Sequence, residues 1–396
     1  MSQSKPHHDR AASPGAEGID QLAGLRDEID GVDRQILDLL NQRARCVQQV
    51  GAIKAGGRNG PVYVAARERD LIRTLLESNG GPFPDAGIPH VFREIISATR
   101  SLEERVRVAF LGPDGTFSHQ AASRQFGAQV DLVPVTNMRD VFTLTERGDT
   151  HFGVVPVENT IEGPITLTFD ALVETEVTIC SEIKLEISQH LMSRTGRLED
   201  VLKVASHPQP LAQCRGWLEA NLHGIETFET TSTAAAAQLA HADEKVASIG
   251  SEVTAEVYDL LPIASSIEDH RGNTTRFLVI GREMPAPSGQ DLTSAVFTVR
   301  RDQSGALHNL LGPFARHGVN LTAVQSRPMK GKPWEYIFIV DMEGHTDDDS
   351  VAAALEEAGG VAASHKVLGS FPRALEVSGG VSDASASRLI RKESDS

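Results

Sequence analysis

Positive charge is in short supply in this chain: 38 Lys and Arg stand against 54 Asp and Glu in 396 residues, a formal net charge of −16. A surface that acidic repels phosphates, which argues against a nucleic-acid partner. Anionic small substrates stay open, because a local pocket of Arg and Lys can outweigh distant acidic groups. Cysteine is nearly absent. Its three copies, Cys46, Cys180 and Cys214, are far apart and odd in number. They exclude a disulfide framework and a Cys-x-x-Cys metal knuckle, and they fit a reducing, cytoplasmic compartment. No apolar run approaches the ~18 residues of a spanning helix, so no membrane partner is expected, and the N-terminal stretch lacks the apolar core of a signal peptide. Dinucleotide and phosphate-loop fingerprints are missing too. His7 and His8 sit in a Ser/Pro/Ala-rich stretch and read as solvated, so neither metal nor cofactor is expected.

What is present is organised in blocks. The length suits two to four domains. Residues 1–19 read as a disordered tail. From Leu22 the apolar residues Leu22, Leu25, Ile29, Val32, Ile36 and Leu39 alternate steps of three and four, the seam of a long amphipathic helix. Arg43 falls on that seam, where a buried charge is costly unless paired. Helices over 65–78 and 88–104 complete an all-helical domain, 20–104. At Val106 the pattern switches to apolar strands alternating with helices. Strands near 106–110, 130–135 and 152–157 precede a second lobe that starts near His190, giving two α/β lobes over 105–282. After a Pro/Gly linker at 282–290, residues 291–375 follow the order βαββαβ of a ferredoxin-like domain. Residues 376–396 are Ser-rich and read as a second disordered tail. The fold class is a multidomain α and α/β protein.

Four polar clusters stand out in the α/β region: Gly112-Pro113-Asp114-Gly115-Thr116-Phe117-Ser118, Pro156-Val157-Glu158-Asn159-Thr160, Ser206-His207-Pro208-Gln209-Pro210, and Asn273-Thr274-Thr275-Arg276-Phe277. The last reads as a turn entering a buried strand at 277–280, aiming a hydroxyl and a guanidinium into a cleft. In this order the clusters resemble prephenate dehydratases. The resemblance implies a periplasmic-binding-protein-like fold with ligand between the lobes. It also implies Thr275 as the catalytic hydroxyl and Glu158, Asn159, Ser206, Gln213 and Arg276 as substrate-binding residues. His207, preceding a proline, reads as structural. In that family prephenate loses its carboxylate and ring hydroxyl together, so the protein needs an acid for the hydroxyl and donors that fix the carboxylates.

The helical domain is similar to the all-helical chorismate mutases. By that likeness Lys54 and Glu103 face the ether oxygen as catalytic groups, and Arg26, Arg43, Arg67, Glu68 and Thr99 bind substrate. Val64 stands where some members have Asp. The reaction is a pericyclic rearrangement of a dicarboxylate, so catalysis reduces to holding a compact conformer and placing donors where charge develops. Gly305-Ala306-Leu307 and Gln325-Ser326-Arg327-Pro328 resemble the ACT regulatory domain, which implies an L-phenylalanine site at Gly305, Ala306, Leu307, Asn320, Leu321 and Ser326. Gln325 replaces a usual Glu. The whole chain thus resembles a bifunctional chorismate mutase–prephenate dehydratase, acting on chorismate and prephenate under phenylalanine feedback. Two alternatives are a monofunctional dehydratase with an inactive helical dimerisation domain and a non-catalytic amino-acid sensor.

Arg26 and Arg43 are 17 positions apart on one helix, so about 25 Å separates them at 1.5 Å per residue. One straight helix cannot place both on one small substrate, so either one of the two is a surface charge or Arg26 serves its partner's site in a homodimer or higher homo-oligomer. Mixing inactive Arg26→Ala and Arg43→Ala chains should therefore restore part of the mutase activity, read as prephenate formation. No recovery after demonstrated subunit exchange would count against sharing.

Overall fold

The structure, a computed structural model, describes residues 16–55, 63–299, 304–328 and 336–374. The rest, including residues 1–15 and 376–396 of the expected tails, lies outside the described residues. The chain divides into two units, residues 1–60 and 61–396. The first contains α1, Ala16–Ala55, an unbroken helix of 40 residues. It begins ahead of Leu22, so residues 16–19 are helical rather than part of a tail. The seam residues Leu22, Leu25, Ile29, Val32, Ile36 and Leu39 are all exposed. Arg43 is half-buried rather than buried.

The second unit opens with α2 (Ala65–Ser78) and α3 (Ile88–Arg100). The third helix stops short of residue 104. The N–H groups of Leu102 and Glu103 bond to the carbonyls of Thr99 and Arg100 in tightened turns, so Glu103 lies on the turn after α3. Arg100 fastens both helices to the α/β region. It pairs with Glu68 of α2 at 2.7 Å, donates to the Phe126 carbonyl at 2.9 Å and lies over the buried Tyr63 ring, 5.1 Å from its centroid.

The α/β region has two lobes. The first contains β1 (Arg107–Leu111), α4 (Phe117–Phe126), β2 (Asp131–Val135), α5 (Met138–Arg147), β3 (Phe152–Asn159), β4 (Gly163–Pro164), α6 (Thr166–Glu174) and β5 (Thr178–Glu186). The second contains β6 (His190–Ser193), β7 (Lys203–Ser206), α7 (Pro208–Gln213), α8 (Arg215–Asn221), β8 (Glu226–Glu229), α9 (Thr233–Ala242), β9 (Val246–Gly250), α10 (Glu252–Val257) and β10 (Leu261–Ala264). The helix expected over 211–221 is broken at Cys214 into α7 and α8. The chain then recrosses as β11 (Thr274–Gly281) and joins the first sheet, whose order is β2-β1-β3-β11-β5. The second sheet runs β10-β6-β9-β7-β8. Strand β1 is parallel to β2 and β3, whereas β11 is antiparallel to both β3 and β5. Thr275 and Arg276 thus lie inside a central strand rather than in a turn before it.

The last part contains β12 (Asp291–Val299), α11 (Ala306–Arg316), β13 (Leu321–Pro328), β14 (Tyr336–Glu343), α12 (Asp349–Val361) and β15 (Ser364–Pro372). Its strands form an antiparallel sheet in the order β13-β14-β12-β15, as expected for βαββαβ. Side chains alternate between the two faces of a strand, and here both faces are buried. Ala295, Phe297, Val299, Val340 and Met342 meet α11 and α12. Leu292, Val296, Ile337, Ile339, Leu368 and Phe371 join one core with Phe169, Leu172, Val177 and Ile179 of the first lobe. The Pro/Gly segment before β12 therefore separates two domains that share a core. Gly369 sits at the join: a Cβ there would lie 2.4 Å from the Ile179 carbonyl oxygen, a separation that only glycine permits.

A buried charge network crosses the same join. Arg276 Nε meets Glu182 Oε2 at 2.9 Å, and its Nη1 meets Asp341 Oδ2 at 2.6 Å. Ser294 Oγ and the Ala374 N–H bond the remaining carboxylate oxygens. Burial works against the Arg276 charge, but Asp341 and Glu182 outweigh it and its pKa is raised. Removing one member of such a pair leaves an uncompensated buried charge. Arg276→Gln should cost about 3–5 kcal/mol in urea unfolding of the dehydratase–regulatory unit. Adding Asp341→Asn to Arg276→Gln should recover part of that loss. A cost below about 1 kcal/mol would show the network to be dispensable.

Candidate active site

The cleft between the lobes is built around one cross-strand pair. Antiparallel pairing sets Thr275 of β11 opposite Asn159 of β3, and both are buried. Asn159 Oδ1 accepts the N–H groups of Ile161 at 2.9 Å and Glu162 at 3.1 Å. Those two backbone donors fix the amide's orientation, because only its oxygen can accept them. Asn159 Nδ2 then donates to Asn273 Oδ1 at 2.7 Å and to Thr275 Oγ1 at 2.9 Å. The Thr275 oxygen is thus an acceptor toward Asn159, which leaves its proton to point elsewhere. Among the described residues no acceptor takes that proton, and Thr275 lines the cleft.

The cleft has a volume of about 370 Å³, and its described lining includes no Lys or Arg. Backbone supplies donors in their place. Helices α4 and α9, each of ten residues, begin at its wall, and a helix N-terminus offers unpaired N–H groups with a partial positive charge. Thr116 and Ser232 cap them by accepting from His119 N and Ala235 N. Gln189, 1% exposed, donates to Gln213 Oε1 at 3.1 Å, which turns the Gln213 amide nitrogen outward as a donor. His207 accepts from Gln209 N at 3.4 Å and so caps α7, while its ring also borders the cleft. His119 stacks on Phe110, accepts from Gly115 N at 2.9 Å, and burial lowers its pKa. Its Nδ1 therefore serves as an acceptor that holds the loop.

The second lobe grips the 112–118 loop. Ser251 and Thr254 donate to the Gly115 carbonyl at 3.1 and 2.6 Å, and Tyr258 donates to the Asp114 carbonyl at 3.1 Å. Gly115 has φ +81, and a Cβ there would lie 2.9 Å from the Tyr258 ring. A left-handed backbone and this close approach both require glycine.

Of the dehydratase residues expected from sequence, Asn159, Gln213 and Thr275 meet at the cleft and three do not. Arg276 points to the opposite face of β11, toward Glu182 and Asp341, because consecutive strand residues face opposite ways. Glu158, its cross-strand neighbour, shares that displacement. Ser206 is fully buried and donates to the Ile249 carbonyl at 2.7 Å. Sequence reasoning missed Gln189 and the role of Asn273. The polar Ser188-Gln189-His190 trio between two apolar strands was the available signal.

The other expected residues fall in two places. Arg26 (exposed), Arg43 and Lys54 (half-buried) lie on α1. In the second unit Arg67 is exposed and Glu68 is half-buried. Thr99 is buried and donates to the Ile95 carbonyl at 2.8 Å. Val64 is the N-cap position of α2. Arg100, the partner of Glu68, was missed. In the regulatory part Gly305 caps α11, while Leu307, Asn320 and Ser326 are exposed and Ala306 and Leu321 half-buried. Ser326 lies on β13, an edge strand. Its neighbour Arg327 pairs with Asp170 at 2.8 Å and donates to the Thr166 carbonyl at 2.6 Å, both on α6. Groups of His, Cys, Asp and Glu able to hold a metal are absent among the described residues, and no described helix is long and apolar enough to cross a membrane.

Three family models match in order: chorismate mutase type II over residues 25–104, prephenate dehydratase over 108–285 and the ACT domain over 293–360. A bifunctional chorismate mutase/prephenate dehydratase of Aquifex aeolicus is 45% identical over 361 residues, covering 90% of this chain and 99% of that one. The Escherichia coli K12 protein of the same name is 33% identical over 372 residues, covering 89% and 96%. A crystal structure of prephenate dehydratase with L-Phe from Arthrobacter aurescens aligns with TM-score 0.63 and 32% identity, covering 72% of this chain and 98% of that one.

Proposed function

The chain belongs to the bifunctional chorismate mutase/prephenate dehydratase family, and from that premise we propose how its own residues divide the work. The protein rearranges chorismate to prephenate and converts prephenate to phenylpyruvate, carbon dioxide and water. A sensor without chemistry and a dehydratase with an idle helical domain are not favoured.

In the dehydratase step the ring carboxylate leaves as carbon dioxide, its electron pair enters the ring, and the ring hydroxyl departs as the ring becomes aromatic. Thr275 donates a hydrogen bond to the departing oxygen, and the proton that completes water comes ultimately from solvent. The observation that carries this reading is the Asn159–Thr275 bond at 2.9 Å, which occupies the hydroxyl oxygen and frees its proton for the cleft. The N-termini of α4 and α9 and the Gln213 amide hold the side-chain carboxylate. In the mutase, Arg26, Arg43 and Arg67 bind the two carboxylates, Lys54 and Glu103 attend the ether oxygen, and Glu68, Thr99 and their surroundings hold the ring hydroxyl. The exposed seam of α1 and the distance between Arg26 and Arg43 favour a homodimer that shares this site. We place the enzyme in the cytoplasm, where Cys46, Cys180 and Cys214 stay as the free thiols seen here.

With chorismate as sole substrate, Thr275→Val should stop the sequence at prephenate, phenylpyruvate formation falling about 10²–10³-fold, the scale of one lost transition-state donor. Thr275→Ser should retain much of the rate. Near-normal phenylpyruvate formation by Thr275→Val would overturn the assignment.

L-phenylalanine, in this reading, binds between the Gly305-Ala306-Leu307 turn of one protomer and the Asn320, Leu321 and Ser326 edge of another and lowers dehydratase turnover. Deleting the regulatory part is a poor test, because it would bare the shared core around Ile179 and Phe169. Leu307→Arg and Ser326→Arg, at exposed positions, should each raise the half-inhibitory phenylalanine concentration at least ~10-fold, about 1.4 kcal/mol of binding. Unchanged inhibition in both variants would place the effector elsewhere.

A further inference from the structure

A basic pocket lies away from the cleft, where α2, the first turn of α3, the end of α4, β5 and the segment after β15 converge. Its charged walls include Glu68, Arg69, Arg93, Arg124, Glu182, Lys184 and Arg373, and its volume is about 120 Å³. It shares no residue with the Thr275 cleft, and Glu68 alone of the expected mutase residues borders it.

Among the described residues, cations outnumber anions at these walls. Glu68 is taken by Arg100 at 2.7 Å and Glu182 by Arg276 at 2.9 Å, while Arg373 is satisfied by Glu343 at 2.5 Å. Three guanidinium groups make no ion pair among the described residues. Arg69 is 7% exposed. It reaches only neutral acceptors, the Gln290 carbonyl at 2.9 Å and Gln290 Oε1 at 2.6 Å, and its Nε is buried without a partner. Arg93 and Arg124 make no hydrogen bond or ion pair among the described residues. Burial lowers the pKa of Arg93, repulsion from Arg124 adds to that, and Tyr63, Glu68 and Glu94 oppose it. The 13-residue helix α3 also begins at this wall, with Pro89 and His90 in its first turn. A buried guanidinium with an empty donor, two more that no described residue binds and a helix N-terminus together form a site suited to an anion.

We propose that this pocket binds a small oxyanion, either phosphate or a carboxylate group, at the junction of the mutase helices with the dehydratase and regulatory parts. Planar guanidinium forks match both chemistries. The volume admits one such group and excludes a ten-carbon dicarboxylate. An occupant would tie α2 and α3 to β5, whose Lys184 lies opposite Arg276 in the register, and so would brace the strand behind Thr275. The inference stands on charge and geometry and does not depend on either activity.

Thermal unfolding of the full chain tests it, with phosphate, malonate and chloride compared at equal ionic strength. Phosphate or malonate at 20 mM should raise Tm by about 3 °C over chloride, as expected for a ligand near ten times its Kd. The double variant Arg93→Gln/Arg124→Gln should lose most of that protection. If it fails to fold, Arg124→Ala alone, at an exposed position, should at least halve it. Protection by phosphate alone identifies phosphate as the ligand, and protection by malonate identifies a carboxylate. Equal Tm in all three salts overturns the proposal. So does protection undiminished in the variants, since the anion would then bind elsewhere, the Thr275 cleft included.

Discussion

The alternation of side chains along β11 is the constraint on which most of this structure depends. Thr275 faces the cleft and is held by Asn159, while Arg276, the next residue, faces the opposite way and is held by Glu182 and Asp341. One strand therefore carries the cleft hydroxyl on one side and the tie to the regulatory sheet on the other. A slip of one residue in its register would exchange the two. Antiparallel pairing on both edges, with β3 and β5, is what prevents it.

The regulatory part is not an appendage on a tether. Its sheet is buried on both faces, by α11 and α12 on one side and by the first dehydratase lobe on the other. Two ion pairs cross that interface near the cleft. Arg276–Asp341 lies one residue from Thr275, and Arg327–Asp170 holds α6, whose preceding residue Ile165 lines the cleft. Close-packed interfaces transmit displacement rather than absorbing it.

The chain contains two contrasting ways to handle dianions. The residues proposed for the mutase include guanidinium and ammonium groups, suited to gripping two carboxylates that survive the reaction. The dehydratase cleft relies on helix N-termini and amides, and its chemistry explains why. A cation locked onto the carboxylate about to leave would stabilise the ground state and slow its loss. Diffuse dipoles orient the substrate without that penalty.

Much of this was readable in advance. The spacing of Leu22 to Leu39 determined a long helix, the change at Val106 marked the α/β region, and βαββαβ order defined the last part, because period and order are local properties of a chain. The motif around Thr275 likewise pointed to a hydroxyl that the fold brings to the cleft. The sequence could not reveal where its neighbours point. Ser206, Glu158 and Arg276 are adjacent to cleft residues in the chain, yet a strand sends neighbouring side chains to opposite faces, and only the packed sheets decide which face meets substrate. Arg100, Gln189 and the surplus of Arg69, Arg93 and Arg124 were invisible for a related reason. Each matters through partners 24 to 221 residues away, or through lacking one, and that relation exists only in the folded chain.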